Sequence, residues 1–98
     1  MIASFGDKAT EDLFHGLRSK RIRAIPPDVH RTAVRKLDMI QAAHVLKDLR
    51  SPPANRLEAL KGDFRGFHSV RINDQWRIVF RWADGQAHEV RIVDYHKG

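Results

Sequence analysis

"FHSVRINDQWRIVFRWADGQAHEVRIVDY", residues 67–95, decides the fold. Through FHSVRIN (67–73), QWRIVFRW (75–82) and AHEVRIVDY (87–95), apolar residues alternate with charged or polar ones, the period of a strand with one buried face. Asn73-Asp74 and Asp84-Gly85 are turn dipeptides between the runs, so the stretch predicts two consecutive hairpins. Period two sends Val70, Ile72, Trp76, Ile78, Phe80, Trp82, Val90 and Ile92 to one face. Arg71, Arg77, Arg81 and Arg91 take the other, with Tyr95 at its end. Like charges on neighbouring strands repel, and an anionic ligand would relieve that repulsion. The competing reading has the arginines reach into water or pair with Asp63, Asp74 and Glu89.

The apolar sheet face needs a cover, and two helices upstream can supply it. Ile2 to Phe5 reads as a short opening strand. Asp7 suits the cap of a helix carrying Ala9, Leu13 and Leu17, with Gly16 near its end. After the basic linker SKRIRAIPPD, Pro27 and Asp28 open a second helix. Val29, Ala33, Leu37 and Ile40 form its apolar stripe, and Arg31, Arg35 and Asp38 its solvated side. LKDLRSPPANRLEALKGDFRG (46–66) has little periodicity and reads as a long loop with one helical turn; loops of that length are often functional.

Ninety-eight residues make one domain, 1–98, too short for a deep cavity, so any chemistry takes place near the surface. Eighteen Lys and Arg against 12 Asp and Glu give +6, which favours polyanions, above all nucleic acid. The absence of cysteine excludes disulfides, thiolate zinc sites and a Cys nucleophile. The six histidines, His15, His30, His44, His68, His88 and His96, show no HxxH or HxxxH spacing, which argues against a metal site. No secretory leader and no apolar run of roughly 20 residues is present, so the cytoplasm is the expected location. Gly62 and Gly66 flank a charged turn but lack the GK[ST] ending of a phosphate loop. Ser51 and Ser69 have no His-Asp partners that would make either a nucleophile.

PPANRLEALKG, then GFHSVRINDQWRIVFRW, then the terminal IVDYH occur in that order. Together they resemble a HigB-type toxin of the RelE/ParE superfamily, over nearly the whole chain. The resemblance implies an α+β fold of order β-α-α-β-β-β: a mainly antiparallel sheet with two N-terminal helices packed on one face. It also implies a type II toxin that cleaves messenger RNA in the ribosomal A site by 2′-OH attack, with no metal or other cofactor. The partners implied are a HigA-like helix-turn-helix antitoxin, the 70S ribosome and mRNA, with operator DNA reached only through the antitoxin and no membrane. Two rival readings stand beside it: a ParE-like DNA gyrase poison on the same fold, and a non-catalytic ribosome- or RNA-binding inhibitor.

Metal-free cleavage needs a proton acceptor, a proton donor and a cation for the phosphorane. The resemblance places catalytic groups at Asp94, Tyr95 and His96. His96 titrates near pH 6.5 when unperturbed, Asp94 could orient it, and Tyr95 could stack on a base or bond the phosphate. Arg77, in WRIVF, matches the position that holds the scissile phosphate, where its planar fork suits the task. Lys61 matches a basic loop position, and Arg56, Arg65, Arg71 and Arg91 complete the expected RNA-binding set. Glu58 stands where some relatives carry histidine. It serves as general base or pairs with Arg56, and the base and acid roles are interchangeable between Glu58 and His96. Strand parity puts Asp94 and His96 with Val90 and Ile92 but Tyr95 with the arginines. Either the chain bends at Asp94 or the three do not share one site. Lys20, Arg21 and Arg23 are expected to grip ribosomal RNA phosphates.

Overall fold

The alternation of residues 67–95 produces the sheet. The computed structural model describes residues 1–95. Strands β1 (Glu58–Ala59), β2 (His68–Arg71), β3 (Trp76–Ala83) and β4 (Gln86–Asp94) lie side by side in that order, each antiparallel to the next. Both expected hairpins form. Asn73 Oδ1 accepts from the backbone N–H of Gln75 and of Trp76, each at 2.8 Å, and holds the first turn. Asp84 and Gly85 take φ of 55° and 74°, the left-handed pair that a two-residue hairpin requires.

One irregularity re-aims β4. The register shifts between Val79 and Arg81, and opposite them Glu89 adopts φ of 55° as the extra residue of a bulge. Ala87, which strict alternation would set beside Arg91, is therefore fully buried in the same core as Val90 and Ile92. The bulge also limits the opening segment. Ile2 and Phe5 make isolated parallel bridges to Ala87 and Val90, on either side of Glu89, instead of a continuous strand.

The two helices cover the apolar face. Helix α1 (Lys8–Phe14) is capped by Asp7, whose side chain accepts from the Thr10 N–H at 2.8 Å. Thr10 is fully buried, and its Oγ1 accepts from the Ile92 N–H at 2.9 Å, pinning α1 to β4. Leu17, expected in the apolar stripe, lies beyond the helix end and is 53% exposed. Helix α2 (Pro27–Ala42) starts at the expected proline, buries Val29, Ala33, Leu37 and Ile40, and exposes Arg31, Arg35 and Asp38. This stripe packs in one core with Val70, Ile72, Ile78 and Phe80, with half-buried Trp76 and Trp82 against it.

Residues 46–66 are more ordered than their sequence suggests. They hold 3-10 turns at Leu46–Arg50, Pro53–Asn55 and Gly62–Phe64, as well as β1. Fully buried Asn55 organises the middle turn, its amide donating to the carbonyls of Leu49 at 3.1 Å and Ser51 at 3.3 Å. Side-chain bonds of this kind leave no periodic trace. Nor is the second sheet face a bare arginine surface. Leu60, Phe67 and Val79 form a second buried cluster there, with Phe64, Val93 and Tyr95 against it.

Candidate active site

The site grows from the β2–β3 ladder. Arg71 and Arg77 are directly paired across it, two like charges that need separate anchors. Arg71 pairs with Asp74 in the turn. Arg77 is only 8% exposed, and its Nε donates to Ser69 Oγ at 2.8 Å while Nη2 donates to the Arg56 carbonyl at 2.7 Å. Glu58 Oε1 lies 3.7 Å from the same Nη2, and the guanidinium carbon sits 5.5 Å from the centre of the Tyr95 ring. Burial pushes the Arg77 pKa down, Glu58 and Tyr95 push it up, and Arg71 and Arg56 add to the downward push. Guanidinium is so basic that the group stays charged.

These residues surround a shallow cleft of about 270 Å³ lined by Arg56, Glu58, Arg71, Asn73, Asp74, Arg77 and Tyr95. Its size and charge suit a phosphate and part of a nucleoside. The two hydrogen bonds occupy part of Arg77's five-donor fork and fix its plane. Glu58 supplies a carboxylate beside that cation, half-exposed and open to a substrate hydroxyl.

Of the expected site residues, the cleft gathers Arg77, Glu58, Tyr95, Arg56 and Arg71. Glu58 is 3.7 Å from Arg77 rather than paired with Arg56, whose left-handed backbone (φ 45°, ψ 54°) offers its carbonyl to the same guanidinium. Asp94 does not line the cleft. It pairs across the ladder with Trp76, and its carboxylate accepts from Gln75 Nε2 at 3.1 Å. Tyr95 continues the alternation to the arginine side, its N–H bonding the Gln75 carbonyl at 2.7 Å. The parity conflict is thus decided against a common face for Asp94 and Tyr95; His96 lies outside the described residues.

The remaining cations lie elsewhere. Lys61 and Arg65 are exposed around the 3-10 turn Gly62–Phe64. Arg91 stacks over Phe64 at 5.4 Å, and Arg81 over Phe67 at 4.3 Å, where it also pairs with Glu89. Gly66 permits that approach, since a Cβ there would meet Arg81 Nη1 at 2.8 Å. In the basic linker, Arg21 is held by Asp12 at 3.0 Å, while Arg18, Lys20, Arg23 and His30 line a separate cleft of about 430 Å³ over Ile22 and Ile25. Among the described residues no three His, Cys, Asp or Glu are grouped to hold a metal ion.

Three residues contribute in ways the sequence did not reveal. Ser69 was weighed only as a nucleophile, yet its parity with Arg71 and Arg77 already placed its hydroxyl on their face. Asn73 and Asp74 are turn residues, Asp74 also the expected partner of a sheet arginine, here Arg71, and both also line the cleft.

Comparison with known proteins bears on the whole chain. Residues 3–96 match the family described as the RelE-like toxin of type II toxin-antitoxin system HigB. Toxin HigB-1 of Vibrio cholerae serotype O1 is 40% identical over 97 residues, 99% of each chain. Endoribonuclease HigB of Proteus vulgaris is 33% identical over 96 residues, 98% of this chain and 100% of that one. Among solved structures, the YoeB-YefM complex from Staphylococcus aureus contains a chain that superposes with a TM-score of 0.59 at 15% identity, covering 99% of both, a likeness of fold.

Proposed function

The chain belongs to the RelE-like HigB toxins of type II toxin–antitoxin systems, and from that premise we propose that it is an endoribonuclease cutting messenger RNA on the ribosome, with the Arg77 cleft as its centre. The observation that carries this reading is the arrangement of Arg77: a buried guanidinium fixed by Ser69 and the Arg56 carbonyl, beside the Glu58 carboxylate. Such a preorganised cation aimed at one spot stabilises charge that develops there. The Proteus vulgaris relative carries the name endoribonuclease.

In the proposed reaction the substrate's 2′-oxygen attacks the adjacent phosphorus, and the bond from phosphorus to the 5′-oxygen breaks. Glu58 accepts the 2′ proton, and Arg77 and Arg71 stabilise the added negative charge on the phosphorane. His96 delivers a proton to the departing 5′-oxygen, and the upstream fragment leaves as a 2′,3′-cyclic phosphate. Tyr95 stacks a base at the cleft wall. Asp94 acts from outside the cleft, on the orientation of the chain end. Arg56 draws in the RNA backbone near the cleft; Lys61, Arg65 and Arg91 do so farther along, and Lys20 and Arg23 of the linker contact ribosomal RNA.

As a toxin of such a module the protein has an antitoxin partner, and we assign that role to a HigA-like helix-turn-helix protein, through which alone the pair reaches operator DNA. No helix among the described residues is long and apolar enough to cross a membrane, and a ribosomal substrate places the action in the cytoplasm. The test is primer extension on mRNA with and without 70S ribosomes, for the wild type, Arg77→Ala and His96→Gln. Cuts confined to the A-site codon that need the ribosome and both residues are expected. Ribosome binding with no cut from the wild type would replace the enzyme with a non-catalytic inhibitor.

A further inference from the structure

Lys36 of α2 is 5% exposed, and among the described residues no carboxylate pairs with it. Its ammonium donates instead to Oδ1 of fully buried Asn55. Burying a charge without a counter-ion is unfavourable, and a methionine would fill comparable space with no such penalty. What Lys36 holds is the middle turn of the 46–66 segment. Asn55 spends its amide on the carbonyls of Leu49 and Ser51, and its own N–H bonds the Pro52 carbonyl at 2.9 Å. The next residue, Arg56, is left-handed at φ 45°, a conformation that a non-glycine residue keeps only when its surroundings enforce it. Its carbonyl accepts Arg77 Nη2 at 2.7 Å. A continuous path of bonds therefore runs from the centre of α2 to the guanidinium in the cleft.

We propose that Lys36 is a positioning residue for Arg77, acting through Asn55 and the carbonyl of Arg56. The inference rests on the reading of Arg77 as the phosphate-holding group. The link is geometric, so it alters how well the phosphorane is held rather than how tightly the toxin binds the ribosome. Lys36→Met keeps the stem and deletes the donor, leaving Asn55 Oδ1 buried without its partner, so that Asn55 shifts against its bonds to Leu49 and Ser51 and the turn at Arg56 relaxes. A displacement of about 1 Å at a reacting group costs roughly 100-fold in rate.

The experiment compares wild type with Lys36→Met in two ways. Single-turnover cleavage on programmed ribosomes should fall roughly 10- to 100-fold at saturating toxin while the half-saturating toxin concentration stays constant. The Arg77 Nε–H resonance, protected in the wild type by Ser69, should shift and exchange faster with water. Should Lys36→Met not fold, Lys36→Gln takes its place, since its amide sits on a shorter stem that cannot span to Asn55. A folded variant with wild-type cleavage rate and an unchanged Arg77 resonance would overturn the proposal and leave Lys36 a stability residue. A wild type that makes no cut would overturn the reading beneath it, and the resonance alone would still decide whether Lys36 positions Arg77.

Discussion

Arg77 shows how much one residue's meaning depends on its neighbours. The sequence identified it as a strand arginine on the charged face, and the family resemblance gave it a phosphate to hold. Of the three contacts that fix it, strand parity connects only Ser69 on β2 with it; the Arg56 carbonyl and Glu58 on β1 come from a segment without periodicity. Ser69→Ala removes one of them. Hydrogen bonds to charged groups contribute roughly 1.5–3 kcal/mol, so cleavage is expected to slow by about 10- to 100-fold with ribosome binding intact. Wild-type turnover by Ser69→Ala would show that the hydroxyl does not hold the fork. Arg56 separates backbone from side chain in the same way. In Arg56→Gly the left-handed turn loses its strain and the carbonyl remains, so stability should rise by up to about 1 kcal/mol in urea unfolding. RNA affinity should fall because a cation is lost. A drop in stability would mean that the Arg56 side chain, rather than Asn55, shapes the turn.

At the level of elements, α2 and the two hairpins were legible because each buries one face, and burial of one face imposes a period. Val29, Ala33, Leu37 and Ile40 are buried where the helical stripe put them, and Val70, Ile72, Ile78 and Phe80 where strand alternation did. Phe80→Ala, at the centre of that packing, should destabilise by about 3–5 kcal/mol, measured as the shift in urea midpoint at constant m. A change below about 1 kcal/mol would contradict the core described. The bulge at Glu89, the 3-10 turns of 46–66 and the second cluster around Leu60, Phe67 and Val79 were not legible. The turns and the cluster depend on side chains meeting across long sequence separations, such as Asn55 with Lys36 or Phe67 with Val79. The same limit hid the position of Asp94. Its parity was readable, but the residue it would face there was not, and Gln75 takes that place at 3.1 Å.

Over the whole molecule, a formal charge of +6 is distributed unevenly in its accessibility. Arg21, Arg71, Arg77 and Arg81 are tied to Asp12, Asp74, Glu58 and Glu89, while Lys20 and Arg23 line the linker cleft outside these pairs. Ribosome affinity should therefore fall with salt, and Lys20→Ala with Arg23→Ala should flatten that dependence by a slope of roughly 1–2 in log–log form. An unchanged slope would move the ribosome contact to another face. Acid stability follows from Asp12, whose carboxyl is held below its usual range by the Ser19 hydroxyl, against its burial and with help from Arg21 and Lys8. A depressed carboxyl contributes stability that is complete above its unfolded pKa of about 3.9 and is lost as pH falls through the folded value. Asp48 behaves alike, its carboxylate accepting from the backbone N–H groups of His44 and Val45. Asp12→Asn should thus lower Tm at neutral pH and flatten its fall below about pH 4.

The central claim is that the Arg77 cleft holds a phosphate under attack by the neighbouring 2′-oxygen. The most direct measurement is the chemistry of the ends left by the wild-type protein on programmed ribosomes. A 2′,3′-cyclic phosphate on the upstream fragment and a 5′-hydroxyl on the downstream one, both lost in Arg77→Ala, are predicted. A 5′-phosphate on the downstream fragment, or undiminished cutting by Arg77→Ala, would contradict the account.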